Sequence, residues 1–183
     1  MELIIFKNGG FHMKKVITIL ALISMLFSVQ TTTALAAGTD RTTCMLVSEM
    51  TTVDYDYTSD VYCVSVFSIY SMPTEKASGY QYKSATHSKY FYIISTGEKV
   101  AEYSLTANFR YDKDAEKAEC RSTSTTGKSL VSGWTISRLS CVDNVSSALG
   151  AGRGDYSLYK DGTLNNTDTI YIYCDHNGKI TKS

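Results

Sequence analysis

The sequence predicts an all-β fold, a compact antiparallel β-sandwich that remains once an N-terminal signal peptide is removed. The strongest observation is the run YSLTANFRY. Tyr103, Leu105, Ala107, Phe109 and Tyr111 point one way, and Ser104, Thr106, Asn108 and Arg110 the other. Successive side chains alternate across a strand, so an unbroken period of two calls for one buried face and one wet face. The second observation is the texture of the chain after residue 36. Short runs rich in Tyr, Thr, Ser and Val are separated by polar turns, with no sustained helical period. The third is a single proline in 183 residues, at the start of one of those turns.

Before the first strand comes an address. From Met13, Lys14 and Lys15 make a basic start, Val16–Val29 an apolar run of 14 residues, and Ala34-Leu35-Ala36 a small-residue cleavage site. That is the three-part layout of a secretory signal peptide, and its apolar run is too short to span a membrane. Residues 1–36 are therefore read as signal peptide with translation starting at Met13, because MELIIFKNGGFH lies outside the layout. No cysteine stands immediately after the cleavage site to take a lipid, and no second apolar span or block of like charge follows. The expectation is a secreted, extracellular protein with no stable membrane anchor. The 18 basic and 18 acidic residues balance, and loss of Glu2, Lys7, Lys14 and Lys15 with the leader brings the mature chain to −2. Such a balance offers no general attraction to nucleic acid or to an anionic membrane.

The strands follow in order. Cys44–Val47 is a weak candidate, TTVDYDYTSD after it reads as a polar loop, and Val61–Tyr70 is a strong strand with both faces largely apolar. Residues 37–72 thus form either a strand pair of the sandwich or an arm; exposing VYCVSVFSIY would be costly, which favours the pair. MPTEKASG around Pro73 reads as a linker, and 73–183 as the β-sandwich domain. Ser88–Ser95 is apolar on both faces, as a central strand requires. TGEK, with Gly97 free to take a positive φ, turns it into the Tyr103–Tyr111 strand. Glu119–Thr126, Gly133–Cys141, Asp155–Tyr159 and Thr169–Cys174 complete the set. Trp134 and Ile136 share one parity while Leu139 and Cys141 take the other, so a β-bulge near Ser137 or Arg138 is expected to reconcile them.

From about Thr86 onward, Phe109 and Tyr111 in an F-x-Y strand, then Cys120, Trp134, and a terminal Cys174 with Gly178 form a series. In this series, and in its leader, the chain resembles a group of small secreted proteins found mainly in Gram-positive gut bacteria. The resemblance covers roughly the last hundred residues and implies a compact β-sandwich; it brings no activity with it. Where that group has a short Asn-Gly or Asp-Gly turn after the tyrosine, this chain carries DKDAEKAE, and its first third differs too.

All five cysteines lie beyond the cleavage site, and export takes them to an oxidising side where disulfides are the rule. Cys174 shares parity with Ile170 and Ile172, and Cys120 with Ala118, Ser122 and Ser124, so both are expected to face inward. Cys120–Cys174 is the first-choice disulfide. Cys44–Cys63 is the second, leaving Cys141 unpaired.

Other clusters resolve into bland readings. Cys174 and His176 lack a second ligand pair for zinc, since His12 leaves with the leader and His87 stands alone. Asp175-His176-Asn177-Gly178 is the composition of a tight turn. GAGRGDY has neither the strand before it nor the helix after it that a dinucleotide loop needs, and reads as a flexible connection. Within it, Arg153-Gly154-Asp155 is a weak adhesion tripeptide. Asp112, Asp114, Glu116 and Glu119 are interleaved with Lys113 and Lys117, as on a solvated loop. Tyr171 and Tyr173 lie opposite the inward isoleucines and form a possible sugar-stacking surface. No nucleophile–base pair, metal set or cofactor loop emerges. The function expected is non-enzymatic binding of an extracellular glycan or protein partner, without nucleic acid and without a cofactor. The alternative is a small secreted effector or antimicrobial protein acting on competitor envelopes.

Overall fold

A computed structural model of the chain describes residues 44–55, 60–72 and 79–183. The leader, the Met13 start and residues 73–78 of the linker around Pro73 lie outside the described residues. The rest is all-β. Strands β1 (Met45–Tyr55), β2 (Val61–Met72), β3 (Gln81–Ile93), β4 (Lys99–Asp112) and β5 (Lys117–Ser129) form one antiparallel sheet in sequence order. Strands β6 (Trp134–Ser146), β7 (Leu149–Lys160), β8 (Thr163–Asp175) and β9 (Ile180–Lys182) form a second. The two sheets pack face to face as a β-sandwich.

β4 is the centre of the core. Its odd-numbered residues Tyr103, Leu105, Ala107 and Phe109 are at most 1 % exposed, and the even-numbered residues lie on the open face. From the opposite sheet Leu158, Ile170, Ile172 and Cys174 fill the gap. Burying each such large side chain contributes about 1.5–3 kcal/mol. Gly97 turns β3 into β4 with a φ of 68°, as the TGEK motif requires.

The first third is not an arm. β2 pairs with β3 from Val61↔Ile93 to Met72↔Tyr82, so β1 and β2 belong to the five-stranded sheet. The weak Cys44–Val47 candidate extends to Tyr55, and the TTVDY half of the expected loop is strand.

Three further expectations are corrected. GAGRGDY is not a loop: it lies inside β7, and its glycines at 150, 152 and 154 all face β4 and β5. A Cβ at Gly150 would fall 2.5 Å from the Cys120 nitrogen, at Gly152 2.8 Å from Ala107 Cβ, and at Gly154 2.2 Å from the Tyr103 hydroxyl. Alternate glycines are how this strand lets the sheets approach. The bulge expected near Ser137 is not there. β6 runs in register with β7 from Trp134↔Lys160 to Asn144↔Gly150, and Leu139 and Cys141 are exposed. β6 is an edge strand whose outward face no described residue covers, so its parity never needs to switch. A shift does occur in β5, where Phe109 pairs with Cys120 but Asn108 with Ser122. The extra residue, Arg121, sends Ser122 and Ser124 to the outer face, although Ala118 and Cys120 stay inside.

His87, in β3, is a buried cost. Its ring is 3 % exposed, stacks edge-on to Phe67, and leaves Nδ1 without a partner. Lys182 Nζ, which can only donate, lies 3.5 Å from Nε2. Burial first, then the charges of Lys182 and Lys89, outweigh Asp168 and push the imidazole down to about 4. The folded protein therefore holds this ring neutral while the unfolded chain protonates it near pH 6.5, so stability falls as pH drops through that window. Between pH 6.5 and 5 the loss is expected to be about 1.5 kcal/mol. Urea midpoints of the wild type and of His87→Phe check it: the variant's midpoint should be flat across the same interval.

Candidate binding face

Strand register assembles a surface that no single segment encodes. Across the open face of the five-stranded sheet, one row runs Glu49, Ser68, Thr86, Thr106, Ser124, and the next runs Thr51, Val66, Ser88, Ser104, Thr126. All but two of these ten side chains are hydroxyls. Ser68 donates to Glu49 at 3.0 Å, Thr86 and Thr106 bond at 3.0 Å, and Ser88 and Ser104 at 2.7 Å. Short side chains lie low, and Ser68 and Ser88 are buried although they sit on the outer face.

Taller side chains border these rows. On one side Tyr90 follows in the next row, and beyond it Tyr62 and Tyr92 stack with ring centres 5.1 Å apart. Lys99 lies over Tyr90 and bonds Glu102 at 2.9 Å, which draws its own pKa upward. On the other side Tyr70 comes next, then Tyr82 beside Arg110. Arg110 lies 4.5 Å from the Tyr80 ring centre and pairs with Glu119, which also accepts from Arg121 at 2.7 Å. These two guanidinium groups outweigh burial and hold the Glu119 carboxyl below its usual range. The result is a shallow trough that crosses the strands, with a mostly hydroxyl floor bordered by tyrosines on β2 and β3. Neighbouring strands lie about 4.8 Å apart, so five of them give it a length of about 20 Å.

The residues singled out from sequence fall elsewhere. Tyr171 and Tyr173 lie half-buried on the outer face of the other sheet, stacked on each other with ring centres 5.6 Å apart. Arg153 and Asp155 share that outer face and are joined at 3.1 Å, with Gly154 turned inward between them. The tripeptide is thus held in a central strand with its two charges paired, not displayed on a loop. His176 is half-buried with Nε2 3.0 Å from the Asn177 amide, and Asp175 Oδ1 accepts from the backbone of Asn177 and Lys179 at 2.9 Å each. Gly178, at φ 75°, completes the turn against the Tyr111 ring. Among the described residues no three His, Cys, Asp or Glu side chains gather as a metal cluster.

No two of the five cysteines are bonded in this structure. Cys120 and Cys174 nevertheless come together in the core: Gly150 pairs with Cys174 and packs on the Cys120 backbone, and each thiol is buried. Burial pushes Cys120 up to about 11 and Cys174 up to about 12, the latter also through Asp175 and Cys120. The second-choice pair is excluded by register. Cys63 pairs with Asp54, ten positions along β1 from Cys44, a separation of roughly 30 Å against the 7 Å that a disulfide tolerates. Cys141 is exposed beside Arg153.

Comparison with protein-family models, with curated proteins and with solved structures finds no match to this chain.

Proposed function

We propose that the mature chain is a secreted, non-enzymatic binding module that takes neutral glycan chains on the open face of its five-stranded sheet. One observation carries this reading: two adjacent rows across five strands carry hydroxyls at eight of ten positions, with Tyr90 in the row on one side and Tyr70 in the row on the other. Sugar hydroxyls both give and accept hydrogen bonds, as Ser and Thr hydroxyls do, and the C–H faces of a pyranose suit an aromatic wall. Formal charge on the floor is confined to Glu49 at one end, which fits an uncharged chain better than a polyanion.

Export supports a second element of the reading. Outside the cell, Cys120 and Cys174 form a disulfide that ties the two sheets. The two thiols lose two protons and two electrons to the disulfide of an exported thiol oxidase, which leaves as a dithiol. Because burial keeps both folded thiols protonated, this exchange belongs to folding, before the core closes.

The direct test incubates the mature protein with insoluble cellulose, chitin, xylan and bacterial cell wall and measures depletion from solution. Saturable depletion by at least one is expected; no depletion by any of them, with a blank glycan array, would overturn the glycan assignment.

A further inference from the structure

A cleft of about 260 Å³ opens at one mouth of the sandwich, where the inner faces of β1, β2 and β3 meet β7 and β8. We propose that this cleft is a separate site for a single neutral sugar ring.

Its walls are apolar and its rim is polar. Val61, Phe91 and the Tyr156 ring line the inside, with Phe91 and Tyr156 in contact at 5.3 Å between ring centres. At the rim Lys89 is fixed rather than mobile: Nζ lies 2.6 Å from Asp168 Oδ2, 3.5 Å from the Tyr156 hydroxyl and 5.3 Å above that ring. The Tyr156 hydroxyl donates to Asn166 Oδ1 at 3.0 Å, which fixes the amide and leaves its Nδ2 without a partner among the described residues. Asp54, exposed at the β1 edge of the cleft, has no hydrogen bond or ion pair among them either.

The ligand class follows from this inventory. Lys89 and Asn166 Nδ2 are donors; Asp54 and Asp168 are acceptors. An anion would meet two carboxylates, and a cation would meet Lys89. A neutral polyol answers both, since each hydroxyl gives one hydrogen bond and accepts others, while its C–H face rests on Phe91 and Val61. The volume lies just below the usual small-molecule range of about 300–1,000 Å³, enough for one ring and too little for a chain. The cleft lies between the sheets and the trough on the outside, so neither site needs the other.

The test titrates the full mature protein with the methyl glycosides of glucose, mannose, galactose and N-acetylglucosamine, followed by NMR shifts at cleft residues. Saturable binding of at least one sugar with a Kd of about 1 mM is expected. Asp54→Asn, at an exposed side chain without a partner, and Asn166→Ala should each weaken it about tenfold while the thermal midpoint stays within a few degrees of wild type. Ser88→Trp, which fills the trough, should leave it unchanged. Binding that ignores both cleft variants, stronger binding of methylammonium than of any sugar, or no binding at all would overturn the proposal. Loss of polysaccharide depletion with sugar binding retained would sink the trough alone.

Discussion

Gly150→Ala is expected to destabilise the fold by at least about 3 kcal/mol, the upper end of what overpacking a well-filled core costs. The reason is the nature of the obstacle. The new methyl group would fall 2.5 Å from the Cys120 nitrogen, 2.5 Å from the Glu119 carbonyl carbon and 2.7 Å from its Cα. All three are backbone atoms of β5, which is held in register by β4 on its other side, so no side-chain rotation can relieve the clash. The sheets must separate locally, and a fall in Tm of roughly 6–12 °C follows for a domain of this size. Gly162→Ala is the control. It sits in the β7–β8 turn with nothing within 4 Å, and its cost is confined to the strain of a φ of 78°, about 1 kcal/mol. Calorimetry of the two variants checks the ranking; equal effects would mean that the close approach of β5 to β7 is misjudged.

Loss of the proposed Cys120–Cys174 bond is expected to be the second large effect. Joining these residues closes a loop of about 55 residues, worth roughly 4 kcal/mol in the chain-entropy account. Peptide mapping without reductant should recover the two cysteines in one cross-linked fragment, with the mass lowered by two hydrogens. Cys120→Ala, Cys174→Ala and the double variant should all lose a similar amount, because the first substitution already removes the shared bond. Cys44→Ala and Cys141→Ala, at exposed positions, should stay within about 0.5 kcal/mol of wild type. Reductant should lower the stability of the wild type and leave Cys120→Ala unmoved. A map joining Cys174 to Cys63 or Cys141 would refute the pairing.

How much of this was legible in the sequence depends on what each segment had to encode. β4 was plain because its neighbours on both sides fix its register and one of its faces meets the second sheet, so local pattern and tertiary burial agree. The DHNG turn was plain for a similar reason: Asp175 caps it and Gly178 supplies the positive φ. The first half of β7 was missed because alternate glycines carry no hydrophobic signal, although Asp155–Tyr159 was read as strand and glycine at 150, 152 and 154 has the strand period of two. Cys120 was placed correctly, but the bulge at Arg121 that reverses Ser122 and Ser124 has no local signature. The trough lay furthest from view. Tyr90 and Tyr92 read only as part of an apolar strand, and Thr106 only as one residue on the wet face of the next. Their alignment into rows is a property of register between strands, which sequence patterning constrains only through the buried face.

The measurement that bears most directly on the central claim compares glycan affinity after substitutions on the two open sheet faces. The mature protein, the trough variants Tyr90→Ala and Ser88→Trp, and the opposite-face variant Tyr171→Ala are titrated with a soluble oligosaccharide of whichever polysaccharide depletes the wild type. Loss of one stacking wall in Tyr90→Ala should weaken binding about tenfold, near 1.4 kcal/mol. Ser88→Trp should abolish it, and Tyr171→Ala should leave it unchanged. Affinity lost in Tyr171→Ala but kept in both trough variants would contradict the assignment of the five-stranded face.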